Sequence, residues 1–387
     1  MTAPSIAVAQ SVPVRSGALD RVWWLALTGL CVVLLAPLLV VDVPPLLDYP
    51  NHLARVFVLA SLPHDEVLGR FYASNWSIIP NVALDLVAPP LIRVLPVHVV
   101  GRMLIAVAVL LPVFGAVAYN TAIGGRWWGF GVGLVAYNSC QLYGFLNFEI
   151  ALGVALLLAA AWLRWREDRP ARAILLAVPG ALVLFACHLM GLVFFGALIG
   201  GAELWRLCCE RTAACVIRRS AALALVFAAP CALYTASALE RLGGDAQYLT
   251  FGEKLLQLVT TFVNYVLPLD MATAAVAIGV PAICLLVRKG RLPGSAAAAA
   301  ALLLIAFLAA PYAWKGTFVL DTRFAIMLGF MLFAGFVPAR WSSGFGLAVT
   351  AALGLLFVAR MAVLTTAWTS HRSDIADLRT ALAPVQP

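Results

Sequence analysis

The sequence predicts an all-α fold, a polytopic bundle of transmembrane helices. Three observations carry that prediction. Of 387 residues, 63% are hydrophobic and only 11% charged, against about 25% charged and 45–50% apolar in soluble domains. The mean hydropathy is +0.98, a surplus of apolar surface that needs lipid to cover it. Apolar blocks near the ~20 residues of a spanning helix recur along the chain, with arginines gathered between alternate blocks. A soluble globular protein is excluded, as are disordered and fibrous classes.

The blocks lie near 22–43, 103–123, 127–142, 145–163, 173–188, 189–205, 221–239, 270–287, 295–312, 324–338 and 343–363, about eleven spans in all. The first follows a polar leader, residues 1–21, that carries Arg15 and Arg21. It is longer than a signal-peptide core and lacks a convincing A-x-A exit, so it reads as a retained signal anchor with the N-terminus cytoplasmic. Threading onward places Arg126, Arg164, Arg166, Arg169, Arg172, Arg206, Arg211, Arg218, Arg219, Arg288, Lys289, Arg291 and Arg340 inside. Short inner loops this dense in arginine are what the positive-inside rule requires. The net charge of +8 therefore reports orientation, and no nucleic-acid partner is expected.

Residues 22–366 are then the bundle, and the C-terminus lies outside. The outer side holds the larger loops, 44–102, roughly 240–269 and 313–323, and a juxtamembrane tail, 367–387. In the tail Ile375, Leu378 and Leu382 follow helical spacing. Its end reads either as natural or as a truncation before a further outer domain. Cys208, Cys209 and Cys215 have no nearby histidine and match no zinc spacing. No phosphate-binding glycine loop occurs, which argues against a nucleotide-driven pump.

The sharpest signal follows the first span. Pro44 and Pro45 end the helix, and Asp48, His52 and Arg55 come within the next ten residues. With Pro50 opening a short helix, His52 and Arg55 share one face. A carboxylate here can act as general base toward a hydroxyl or hold a divalent metal (Mg or Mn), while His and Arg can meet phosphate charge. Equally, Asp48 can simply cap the helix. Further along the loop, residues 81–96 are amphipathic but too polar and proline-broken to span, and are expected to lie along the interface. His64-Asp65-Glu66 reads as a solvated turn.

This order resembles the GT-C superfamily of integral-membrane glycosyltransferases. The resemblance rests on Leu47-Asp48-Tyr49-Pro50-Asn51-His52, on interfacial helices with Pro89-Pro90-Leu91 and Leu95-Pro96, and on Gly101-Arg102-Met103-Leu104 opening the second span. It covers the first 125 residues, and the remainder only as a many-span bundle. It implies a polyprenyl-phosphate sugar donor, a glycan, lipid or protein acceptor, and inverting transfer on the outer face of a bacterial cytoplasmic (inner) membrane. Asp48 would then deprotonate the acceptor hydroxyl. Many members carry paired acids in this loop, whereas here the next acids are Asp65 and Glu66.

Other polar groups crowd the same side. Gln141, Asn147 and Glu149 join the third and fourth blocks, and Glu149 sits one turn into an apolar segment, where acids are functional candidates by default. They are expected at the acceptor or sugar, with Glu149 as second acid, as is His188 between the fifth and sixth blocks. Lys315, Asp321 and Arg323 form a second concentrated group. The resemblance assigns Arg323 and Lys315 to the lipid phosphate with Arg55 and Asp321 beside them. Otherwise Asp321 pairs with Arg323 as an interfacial anchor. A transporter or lipid flippase, or a non-catalytic envelope-assembly protein, would place no demand on Asp48.

Overall fold

The computed structural model describes residues 17–237 and 243–384. Leader residues 1–16, with Arg15, and Arg241 lie outside the described residues. The fold is all-helical: α1 (Gly17–Leu35), α2 (Tyr49–Ser61), α3 (Glu66–Phe71), α4 (Ala83–Ile92), α5 (Val97–Ala122), α6 (Ser139–Leu142), α7 (Leu146–Trp165), α8 (Pro170–Cys187), α9 (Leu189–Cys209), α10 (Ala213–Ala236), α11 (Phe251–Thr260), α12 (Leu267–Leu286), α13 (Gly294–Ala309), α14 (Leu320–Ala334) and α15 (Ser343–Leu382). Among the described residues eight helices are long and apolar enough to cross a membrane, namely α1, α5, α7 to α10, α12 and α15. The chain is a multi-pass membrane protein.

Contacts sort the loops onto two ends of the bundle. At one end Arg126 pairs with Asp20 at 2.9 Å and Arg219 with Glu203 at 2.7 Å. There Gly290–Arg291 also pairs antiparallel with Val337–Pro338. At the other end the loop before α2 bonds to the loop before α7 through Asp48 N to Tyr143 O, 2.9 Å, and Val82 N bonds to Ala186 O, 2.8 Å. The arginine-rich loops thus share the end opposite Asp48.

Each apolar block has a structural counterpart, but three are not long helices. The block at 127–142 is expected to be a spanning helix. Instead it forms a 3-10 helix (Trp128–Val135) followed by the four-residue α6. It still runs the length of α1: Trp23 Nε1 donates to Arg126 O at one end (3.3 Å) and Tyr137 Oη to Leu34 O at the other (2.8 Å). Glycine explains the narrow form, because a Cβ on Gly131 would strike the Phe333 ring and one on Gly133 would strike Leu30 and Phe357. α13 and α14 hold 16 and 15 residues, short of the ~20 for a full crossing. The tail is not a separate element. α15 runs 40 residues without a break, roughly 60 Å, because no Gly or Pro falls between residues 355 and 383.

Buried charge pins the arginine-rich end. Arg219 is 1% exposed and contacts Glu203 and Glu167, at 2.7 and 3.1 Å, while Glu203 also accepts from Trp162 Nε1. This knot ties α7, α9 and α10. Arg219→Met is expected to destabilise by about 1–3 kcal/mol, since Glu203 loses its closest cation but keeps Arg166 at 3.3 Å. Denaturant unfolding in detergent measures it, and an unchanged midpoint contradicts the assignment.

Candidate functional site

At the Asp48 end a cavity of about 570 Å³ opens between elements far apart in sequence. Asp48 and His52 line it from the start of α2, residues 79–81 from the approach to α4, and residues 145–148 from the start of α7. His188 and its two successors come from the α8–α9 junction, and residues 316–318, Leu320 and Arg323 from the start of α14. Of the expected site residues, Asp48, His52, Asn147, His188 and Arg323 therefore meet around one space.

Asp48 occupies the N-cap position of α2, yet its carboxylate makes no capping bond. Its backbone is held instead, with Leu47 N and Asp48 N bonded to Leu142 O and Tyr143 O at 3.1 and 2.9 Å. That pairing needs Gly144, whose φ is +81°. A Cβ there would lie 3.0 Å from Tyr49 N and 3.1 Å from Asp48 N. Gly144→Val is expected to push the Asp48 turn away and cut any Asp48-dependent activity at least tenfold while the bundle still folds. Activity of the folded variant checks it; wild-type turnover would remove Gly144 from the account.

Arg323 is 7% exposed and has no carboxylate partner among the described residues. It does not pair with Asp321. Its guanidinium lies 5.0 Å from the Phe145 ring centre and 5.8 Å from that of Phe148, and its Nε makes no hydrogen bond. Ring faces attract a cation, but by much less than a buried charge loses in leaving water. The loop delivering it is strained: Lys315, Gly316 and Val319 all have positive φ, which a β-branched valine rarely adopts.

His188 breaks α8 from α9 with extended backbone, and its Nδ1 accepts from Met190 N at 3.1 Å. Nε2 then carries the proton and is a donor at the cavity edge, a tautomer assigned from this bond. Asn147 fastens α4 to α7, accepting from Leu84 N and donating to Asn81 O.

Beside the cavity stands an acid that sequence reasoning passed over. Asp85, buried on α4, pairs with Arg55 at 2.5 Å. Burial pushes its carboxyl above the usual range, and Arg55 pulls it back in part. Its signal was an acid inside an otherwise apolar interfacial stretch. Arg55 is therefore spoken for by Asp85 and does not line the cavity. Burial likewise holds the His52 imidazole below its ordinary range, against the pull of Asp48 and Asp85.

Native His52 thus binds a proton less readily than the unfolded chain does. Its stabilising contribution is complete above pH 6.5, its ordinary value, and is lost as pH falls from there through the depressed folded value. Wild type is expected to lose stability over that window by at most about 1.4 kcal/mol per pH unit more than His52→Gln. Unfolding midpoints across pH measure this, and parallel profiles contradict it.

Gln141 and Glu149 are fully buried but do not line the cavity; the Gln141 amide makes no hydrogen bond, and the Glu149 carboxyl faces the Asn138 side chain. Asp321 lies behind the wall, bonded to Thr322 N at 2.8 Å, and Lys315 stacks its ammonium over Trp314 at 5.3 Å. Among the described residues no three His, Cys, Asp or Glu side chains gather as a metal site would. Of the cavity's side chains, Asp48 and His52 would hold a divalent ion shared with a substrate phosphate. Comparison with models of protein families, with curated proteins and with solved structures finds no match to this chain.

Proposed function

We propose that this protein is an inverting membrane glycosyltransferase of the GT-C kind. It moves a sugar from a polyprenyl-phosphate carrier to an acceptor hydroxyl on the outer face of a bacterial cytoplasmic membrane. The observation that carries the reading is Arg323, a buried guanidinium with no counter-ion among the described residues, lining the same cavity as Asp48, whose carboxylate makes no capping bond. A buried charge in this state calls for an anion from outside the chain. A phosphate monoanion or dianion on a lipid supplies one, and the lipid tail needs the apolar helices around it.

In this reading Asp48 takes the proton of the acceptor hydroxyl as its oxygen attacks the anomeric carbon. The bond from that carbon to the phosphate oxygen breaks on the opposite face, and the anomeric centre inverts. The electron pair leaves on the phosphate, where the Arg323 fork receives it. In the same reading His188 and Asn147 contact sugar hydroxyls. The test is to supply purified protein with a panel of radiolabelled polyprenyl-phosphate sugars and acceptors. Polyprenyl phosphate is expected to appear in step with a product of opposite anomeric configuration. Label transfer with retention, or none from any donor, would overturn the reading.

A further inference from the structure

A second, larger cleft of about 780 Å³ lies in the flank of the bundle toward the arginine-rich end. Its floor is the 3-10 segment around Gly131, and its walls are residues 26–33 of α1 and 346–357 of α15. Both walls pack on that segment and leave a gap between them. Along α15 the gap follows roughly 16 Å of helix. Gly29 and Gly354 keep it wide, since a Cβ at either would meet no other atom within 4 Å.

The rim differs in chemistry from the walls. Trp127, Trp341 and Arg126 border it, the Arg291 guanidinium reaches Gly124 on its edge, and exposed Arg340 adjoins Trp341. Asp20 balances Arg126 at 2.9 Å, and among the described residues no carboxylate pairs with Arg291 or Arg340. Tryptophan and arginine at such a depth are the residues that meet lipid headgroups. An apolar trough closed by a net positive rim complements a molecule with a long hydrocarbon chain and an anionic head.

We propose that this cleft holds one acyl chain of an anionic phospholipid, with its phosphate at the Arg126, Arg291 and Arg340 rim. The site is separate from the Asp48 cavity and does not depend on sugar transfer. The protein is reconstituted in bilayers of equal phosphatidylglycerol and phosphatidylethanolamine, delipidated stepwise in detergent, and the retained lipid counted by native mass spectrometry. One phosphatidylglycerol per chain is expected, enriched at least tenfold over phosphatidylethanolamine. Gly29→Leu with Gly354→Leu should lose that lipid, and Arg126→Gln with Arg291→Gln should lose the headgroup preference.

Wild-type protein gives a second readout that needs no variant. Phosphatidylglycerol carrying a diazirine at its chain end should crosslink to residues 26–33 and 346–357. No retained lipid, equal retention of the two lipids, or retention unchanged in the filled cleft overturns the proposal. So do adducts spread over α8 and α10, or a wild-type dimer that the filled variant converts to monomer, which would make a second copy the occupant.

Discussion

Asp48→Asn is expected to lower kcat for sugar transfer by about 10²- to 10⁴-fold, the range that a lost general base costs. Donor affinity should change little. The amide keeps the shape of the carboxylate but cannot accept the acceptor's proton at neutral pH. Stability should hardly move either, because the Asp48 side chain makes no capping bond that the variant would lose. A cap worth about 1 kcal/mol would have produced the opposite result, a less stable protein whose activity loss reflects unfolding. Kinetics together with an unfolding midpoint separate the two.

Arg323→Gln is expected to act on the donor. With the guanidinium gone, the phosphate loses a two-point partner in the bound state and in the departing form, and kcat/KM should fall about 10²-fold or more. Arg323→Lys keeps the charge without the planar fork and should recover only part of the loss. The stability readout carries more information. A buried cation held by two phenyl faces and no carboxylate strains the unliganded fold, so Arg323→Met should leave the protein as stable as wild type or more so. Destabilisation by several kcal/mol would mean instead that Arg323 is a structural element.

Much of the path was legible in the sequence because hydropathy counts apolar residues, and each block so counted has a helical counterpart, eight of them long and apolar enough to cross a membrane among the described residues. What hydropathy does not report is conformation. Residues 127–142 read as one more helix until the side chains packed against Gly131 and Gly133 show why a thinner 3-10 passage fits there. Continuity of α15 was hidden for the converse reason: polarity rises after residue 366, while nothing there breaks a helix.

The site divides along similar lines. Asp48, His52, Asn147, His188 and Arg323 stood out as polar groups scarce enough to notice, and they converge. Asp85 did not, since its partner Arg55 is thirty positions away and only the fold brings them together. Gln141 and Glu149 were equally conspicuous, yet they lie behind the cavity, where depth along a helix decides and spacing gives no depth. The capping role open to Asp48 and the Asp321–Arg323 pair were reasonable on spacing alone; neither bond forms.

The most direct measurement of the central claim is a steady-state comparison of wild type, Asp48→Asn and Arg323→Gln with one polyprenyl-phosphate sugar and one acceptor, reading kcat and donor KM for each. The account predicts rapid wild-type transfer, a loss confined to kcat in the first variant, and a loss that includes donor KM in the second. Equal turnover by wild type and Asp48→Asn, or a donor KM indifferent to Arg323, would contradict it.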